Sequence, residues 1–149
     1  MKYLEITGET VKSAVGQQVK KIFPDIPWYK DSVTLPKYPN FFVNQLQVIA
    51  TPDRLNRWLL TYLFSIEYRI ANDLTTITNI NTQLDKIAME LFYGMENLEE
   101  IKVRTKNQRA EKSEGILVFI FDVNVWVRKE QVRILQNELD LKIISEYRE

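Results

Sequence analysis

The chain contains no histidine and no cysteine, and only four glycines in 149 residues. Without histidine there is no Ser-His-Asp triad, no imidazole base near neutral pH and no zinc site of the usual nitrogen type. Without cysteine there is no disulfide, thiolate nucleophile or iron–sulfur cluster, and the redox compartment leaves no mark on the sequence. Gly8, Gly16, Gly94 and Gly115 are spaced too widely for a dinucleotide fingerprint or a phosphate-cradling loop. Net charge is also missing, because 20 basic side chains balance 20 acidic ones. Most enzyme families are thereby removed. The expectation is a protein that is not an enzyme and has no cofactor and no metal, working by binding or by structure.

What remains is rich in apolar residues, at 45%, with 11% aromatic. That is too hydrophobic for a disordered chain, and a domain of this size hides roughly 70% of the surface its unfolded chain exposes. One domain is expected over residues 1–130, with 131–149 as a C-terminal extension. The first residues, MKYLEITGETVKS, hold no apolar stretch of the kind that forms a signal-peptide core, so a cytosolic protein is expected. The longest purely apolar run is the six residues 116–121, where a membrane span needs about 20.

Val11, Val15, Val19 and Ile22 recur at helical steps, with Thr10 as the expected N-cap and Pro24 as the stop. FPDIP then leads into Trp28 and Tyr29 as a short extended piece. Residues 41–50 read as a strand with Phe41, Val43 and Ile49 on one face. The clearest alternation follows, with Trp58, Leu60, Tyr62, Phe64, Ile66, Tyr68 and Ile70 sharing a face. Ile80, Leu84, Ile87, Ala88, Leu91 and Met95 mark a second helix. Residues 101–111 alternate again, KSEG supplies a hairpin turn, and residues 116–128 form the most hydrophobic strand, with Leu117, Phe119, Phe121, Val123, Val125 and Val127 inward. The order α-β-β-β-α-β-β predicts an α+β fold: a single sheet of four to five strands with two helices on one face.

Three features are candidates for function. Lys102, Arg104 and Lys106 alternate, which places three cations on one strand face. Such a stripe fits phosphate or an acidic partner, but it also fits a solvated edge guarded against aggregation. Trp28 and Tyr29, after a proline-bounded turn, suit either a cover for the sheet end or an anchor for another subunit. Leu135 stands in a tail that suits a short helix through Val132, Leu135 and Leu139 or a strand through residues 141–144. Carboxylates are scattered over different elements without a catalytic pairing. Asp122, inside a strand, reads as structural.

Five stretches resemble the tail terminator proteins of long-tailed bacteriophages and of prophages in Gram-positive bacteria: KKIFPDIPWYKDSV from Lys20 followed by PNFFVNQL from Pro39, LNRWLLTYLFSIEYRI from Leu55, NTQLDKIAMELFYGMENLEEIKV from Asn81, and EGILVFIFDVNVWVRK from Glu114. They cover about four fifths of the chain in order and spacing rather than through a catalytic signature. Trp28 stands where an aliphatic residue is more typical, and the sequence after Glu130 matches poorly. The resemblance implies a structural protein of the virion tail, assembled in the host cytoplasm. It implies a hexameric ring that caps the tail tube, stops its polymerisation and provides a surface for head-tail joining. The expected partners are further copies, the tail tube protein and a head connector or neck protein, with DNA only as cargo through the lumen. Another neck or head-completion protein, or a small binding module using the basic strand face, are the alternatives.

Overall fold

The computed structural model describes residues 7–30, 35–54, 56–71 and 78–128. The extension 131–149, Leu135 included, lies outside the described residues. The first helix, α1, spans Gly8–Ile22 and is capped by Thr7, whose hydroxyl accepts from the Thr10 backbone N–H at 3.2 Å. The expected cap at Thr10 is thus three residues late: Thr10 lies in the first turn, and Thr7 supplies the oxygen. Glu9 in the first turn and Lys20 and Lys21 in the last complement the helix dipole. Val11, Val15 and Val19 are fully buried, as their spacing requires.

Two-residue β1, Trp28–Tyr29, lies parallel to β2, Asn40–Pro52, and β2 pairs antiparallel with β3, Arg57–Arg69. The second helix, α2, spans Ile80–Gly94 and buries Leu84, Ala88 and Leu91. After it come β4, Asn97–Leu98, then β5, Val103–Ser113, and β6, Ile116–Arg128. The β5–β6 turn has Glu114 and Gly115 both at positive φ, the geometry that two-residue hairpins favour. In space the strands run β1-β2-β3-β6-β5-β4, one sheet of six. The α+β class is as expected, but the count of four to five strands and the element order are not. β4 is too short to leave a periodic signature: Leu98 is fully buried and pairs with Val103 of β5, and Asn97 pairs with Arg104.

Both helices pack on one face of the sheet. There Phe41, Phe64, Phe119 and Phe121 are fully buried, and rings link across the layer: Phe41–Tyr68 at 5.0 Å, Phe64–Phe121 at 6.0 Å, and Phe119 edge-on to Phe92 of α2 at 5.2 Å. Two glycines permit the close approach. A Cβ on Gly16 would stand 2.2 Å from the Trp28 ring, and one on Gly94 would stand 2.4 Å from Ile22, so each helix needs a bare backbone at its contact. Gln18, on the apolar face of α1, is buried and bridges two elements. Its amide donates to the Gly94 carbonyl at 3.0 Å and accepts from the Glu99 N–H at 3.1 Å.

A bulge at Leu46 reverses the parity of β2. Phe41 and Val43 face the helices opposite Tyr68 and Ile66, but beyond the bulge Val48 stands opposite Tyr62 and Ile49 opposite Thr61. Ile49 therefore lies on the other face from Phe41 and Val43, contrary to the simple alternation. The adjacent pair Val48-Ile49 has one apolar residue on each side of the sheet.

Candidate functional site

Length decides which part of the sheet is covered. A 15-residue helix extends about 22 Å, whereas a 13-residue strand reaches about 43 Å. The strands outrun the helices at the end where β2 finishes, β3 begins and β6 finishes. Every residue of β2 from 45 to 52 is exposed, and Leu46, Val48 and Ile49 are each about half exposed, at 53%, 47% and 50%. Trp126 on β6 is 51% exposed, opposite Leu59 of β3. The result is an arm, the exposed end of β2 together with Trp126 of β6, that carries apolar side chains outside the core, while Leu60, Val125 and Val127 nearby still pack on or within it.

Local contacts keep the arm ordered. The Arg57 guanidinium lies 4.0 Å over the Trp126 ring, with its Nε 3.3 Å from Asp53. Thr61 donates to Asn124 at 2.8 Å across the β3–β6 pair. Asn56, at positive φ, closes the turn between β2 and β3, where the Asp53 N–H donates to the Arg57 carbonyl at 2.8 Å.

The basic stripe changes form in three dimensions. Lys102 is in the turn before β5 with a positive φ of 56°, so it does not share the strand face with the other two cations. Arg104 and Lys106 do share it. They flank buried Thr105, whose hydroxyl donates to the Met95 carbonyl at 2.7 Å, and they point away from the helices. Arg104 lies 3.3 Å from Glu96, and Lys106 stands opposite Asp122 of β6. Asp122 accepts from Asn107 at 2.8 Å, which accounts for a carboxylate inside a strand. A second bulge between Lys106 and Arg109, with Asn107 at positive φ, reverses parity again, so Ala110 faces inward opposite Phe119 and Arg109 joins the basic side.

Trp28 and Tyr29 are half-buried and engaged within the chain. Trp28 covers Gly16 of α1, whereas the Tyr29 ring lies 5.4 Å from Phe42 and its hydroxyl accepts from the Lys37 N–H at 3.2 Å. They stand at the β1 edge, far along the sheet from the basic strand. The site residues named from sequence are thus not one cluster: one group is on the β5 edge, the other on the β1 edge.

The exposed set Leu46, Val48, Ile49 and Trp126 escaped the sequence reading. The signal was present, since NQLQVIATP combines a broken alternation with a complete lack of charge.

Concave sites are modest. A groove of about 250 Å³ between α2 and β5 is lined by apolar residues including Ala88, Phe92 and Leu117, and Lys112 and Asp85 pair at its mouth at 2.7 Å. Among the described residues, no three acidic side chains gather to hold a metal ion, and no helix is long and apolar enough to cross a membrane. Burial raises the pKa of Tyr62 and Tyr68, and both rings belong to the core. Glu99 is held below the ordinary glutamate range by its hydrogen bond and charge pairing with Lys21 at 2.9 Å.

The described residues thus form a helix-backed sheet with long faces, an exposed apolar arm and open edges. The family model for phage tail terminator proteins matches residues 10–134. The chain belongs to that family and is a phage tail assembly protein. No curated protein matches it individually.

Proposed function

We propose that the protein is a non-enzymatic terminator that forms a ring on the head-proximal end of the tail tube, stops tube polymerisation there and presents the head-joining surface. The family match over residues 10–134 carries this reading. The arm supports it, because half-exposed Leu46, Val48, Ile49 and Trp126 are the kind of side chains that a solitary chain leaves wet and an assembly covers. A ring repeats one heterologous contact, so each subunit needs two different complementary patches, and the sheet has two different long edges. The expected ring is hexameric, its axial neighbours are the tail tube protein and a neck or connector protein, and DNA passes its lumen as cargo. Arg104 and Lys106, with Lys102 in the adjoining turn, are candidates for the lumen or an acidic partner. Trp28, Tyr29 and Leu135 are candidates for subunit contacts.

The test is electron microscopy of purified tail tubes grown with and without the protein. Rings at one tube end and tubes that no longer lengthen are the expected result. Tubes that carry no ring and grow unchanged would overturn the proposal.

A further inference from the structure

The two edges of the sheet differ in a way that indicates how copies join. β1 covers β2 only at Phe41 and Phe42, and among the described residues no strand lies beside β2 from 43 to 52 on the side away from β3. That free stretch, VNQLQVIATP, contains no charged side chain. On the far side, β4 covers β5 at Val103 and Arg104, and the Thr105 N–H is bound to the Glu96 carbonyl at 3.0 Å. From 106 to 113 β5 has no strand beyond it among the described residues, but KNQRAEKS carries Lys106, Arg109, Glu111 and Lys112 and begins at a bulge. Both edges carry a bulge, at Leu46 and at Asn107, so charge distinguishes them: a charged edge resists indiscriminate pairing, whereas a long uncharged edge with exposed apolar side chains invites a partner strand.

Strand direction selects the partner. Three antiparallel steps separate β2 from β5, so the two edges run in opposite directions. A second copy rotated about an axis along the strands keeps its directions, and its β5 then lies antiparallel to the first copy's β2. Pairing β5 with β5 centred on Arg109 would set Lys106 against Lys112 and Arg109 against its own copy, which is unfavourable. Val48, Tyr62, Val123 and Thr105 stand in one cross-sheet row. Bringing the free part of β2 beside the free part of β5 therefore requires a slide along the strands, and closed barrels are built with such a stagger.

We infer that residues 45–52 of β2 in one copy pair with residues 106–113 of β5 in the next, continuing one antiparallel sheet from subunit to subunit. The inference rests on the ring proposed above. It covers Leu46, Val48 and Ile49 and satisfies the outward backbone groups of both edges.

Ladder alternation shows where to intervene. The bonded pair of Asp53 and Arg57 makes Pro52, Ala50 and Val48 the positions whose backbone points away from β3. Pro52, which has no N–H to give, already occupies one of them. Ala50→Pro removes an outward donor and leaves the β2–β3 ladder complete. It is expected to keep the parent's circular dichroism and melting temperature while weakening assembly about tenfold or more, the size a lost ladder bond gives. Ile49→Pro, which removes an inward donor, is the contrasting variant and is expected to lower the melting temperature.

The absence of cysteine makes cross-linking clean. With a short bis-maleimide, rings of Gln47→Cys/Glu111→Cys are expected to give a ladder of covalent multimers, and either single variant none. Dimers from Gln47→Cys alone would show β2 paired with β2 and overturn the inference, as would Ala50→Pro assembling like the parent. Rings that form without any double-variant cross-link would leave the terminator proposal standing and remove this one. A parent chain that forms no ring, alone or on tubes, removes both.

Discussion

The helix-covered half of the sheet and the arm belong to one sheet but are governed by different physics. In the covered half, Phe41, Phe64, Phe119 and Phe121 are wholly buried, and each ring touches another. In the arm, side chains of the same hydrophobic type are half exposed: Val48 faces the helix side beyond the helices' cover, and Ile49 and Trp126 lie on the opposite face, which carries no helix. The covered half holds the fold together, and the arm spends little of its apolar surface on the solitary chain. Residues of equal hydropathy therefore divide between stability and assembly according to which end and which face of a strand they occupy.

The largest effect that would sharpen this contrast is Phe121→Ala, expected to destabilise the chain by about 3–5 kcal/mol in urea unfolding through lost burial and a cavity. Gly16→Ala comes next. Its Cβ would meet the Trp28 ring at 2.2 Å, and overpacking of that kind costs about 1–3 kcal/mol, read as a lower melting temperature. The double change Val48→Ser/Ile49→Ser in the arm is expected to move unfolding by only about 0.5 kcal/mol per site, as surface changes do, yet to abolish ring formation by gel filtration or microscopy. An equal loss of fold and assembly would break the comparison.

Smallest of all is the Lys21–Glu99 pair, which is solvent-exposed. Glu99 has a lowered pKa in the folded chain, so its contribution is complete above the ordinary glutamate value and fades as pH falls through the lowered one. Lys21 is raised, so its share persists below the ordinary lysine value and is lost as pH climbs through the raised one. Glu99→Gln is expected to flatten the acid limb of a melting-temperature profile slightly and to leave assembly unchanged.

The helices, β3 and β6 were legible in the sequence because each keeps one period from end to end. In β3 the residues from Tyr62 to Tyr68 alternate without interruption, and the inward ones, Tyr62, Phe64, Ile66 and Tyr68, are all buried. What escaped has a common cause. The bulges at Leu46 and at Asn107 each insert one residue, so alternation read through them assigns Ile49 to the wrong face and hides that Ala110 points inward. Lys102 looked like a strand residue because its neighbours alternate, but a left-handed backbone places it in a turn. β4 has only two residues, too few to show a period. The candidate site was legible in part. The cations of β5 were visible as a pattern, whereas the exposed apolar arm depends on how far the helices reach and on which face the Leu46 bulge leaves each residue, properties of tertiary packing.

The most direct measurement is the fraction of tail tubes capped by a ring when Val48→Ser/Ile49→Ser replaces the parent, taken at a temperature where circular dichroism shows both proteins fully folded. The expected result is uncapped tubes that continue to lengthen. Tubes capped and halted as by the parent would contradict the assignment of assembly to the arm.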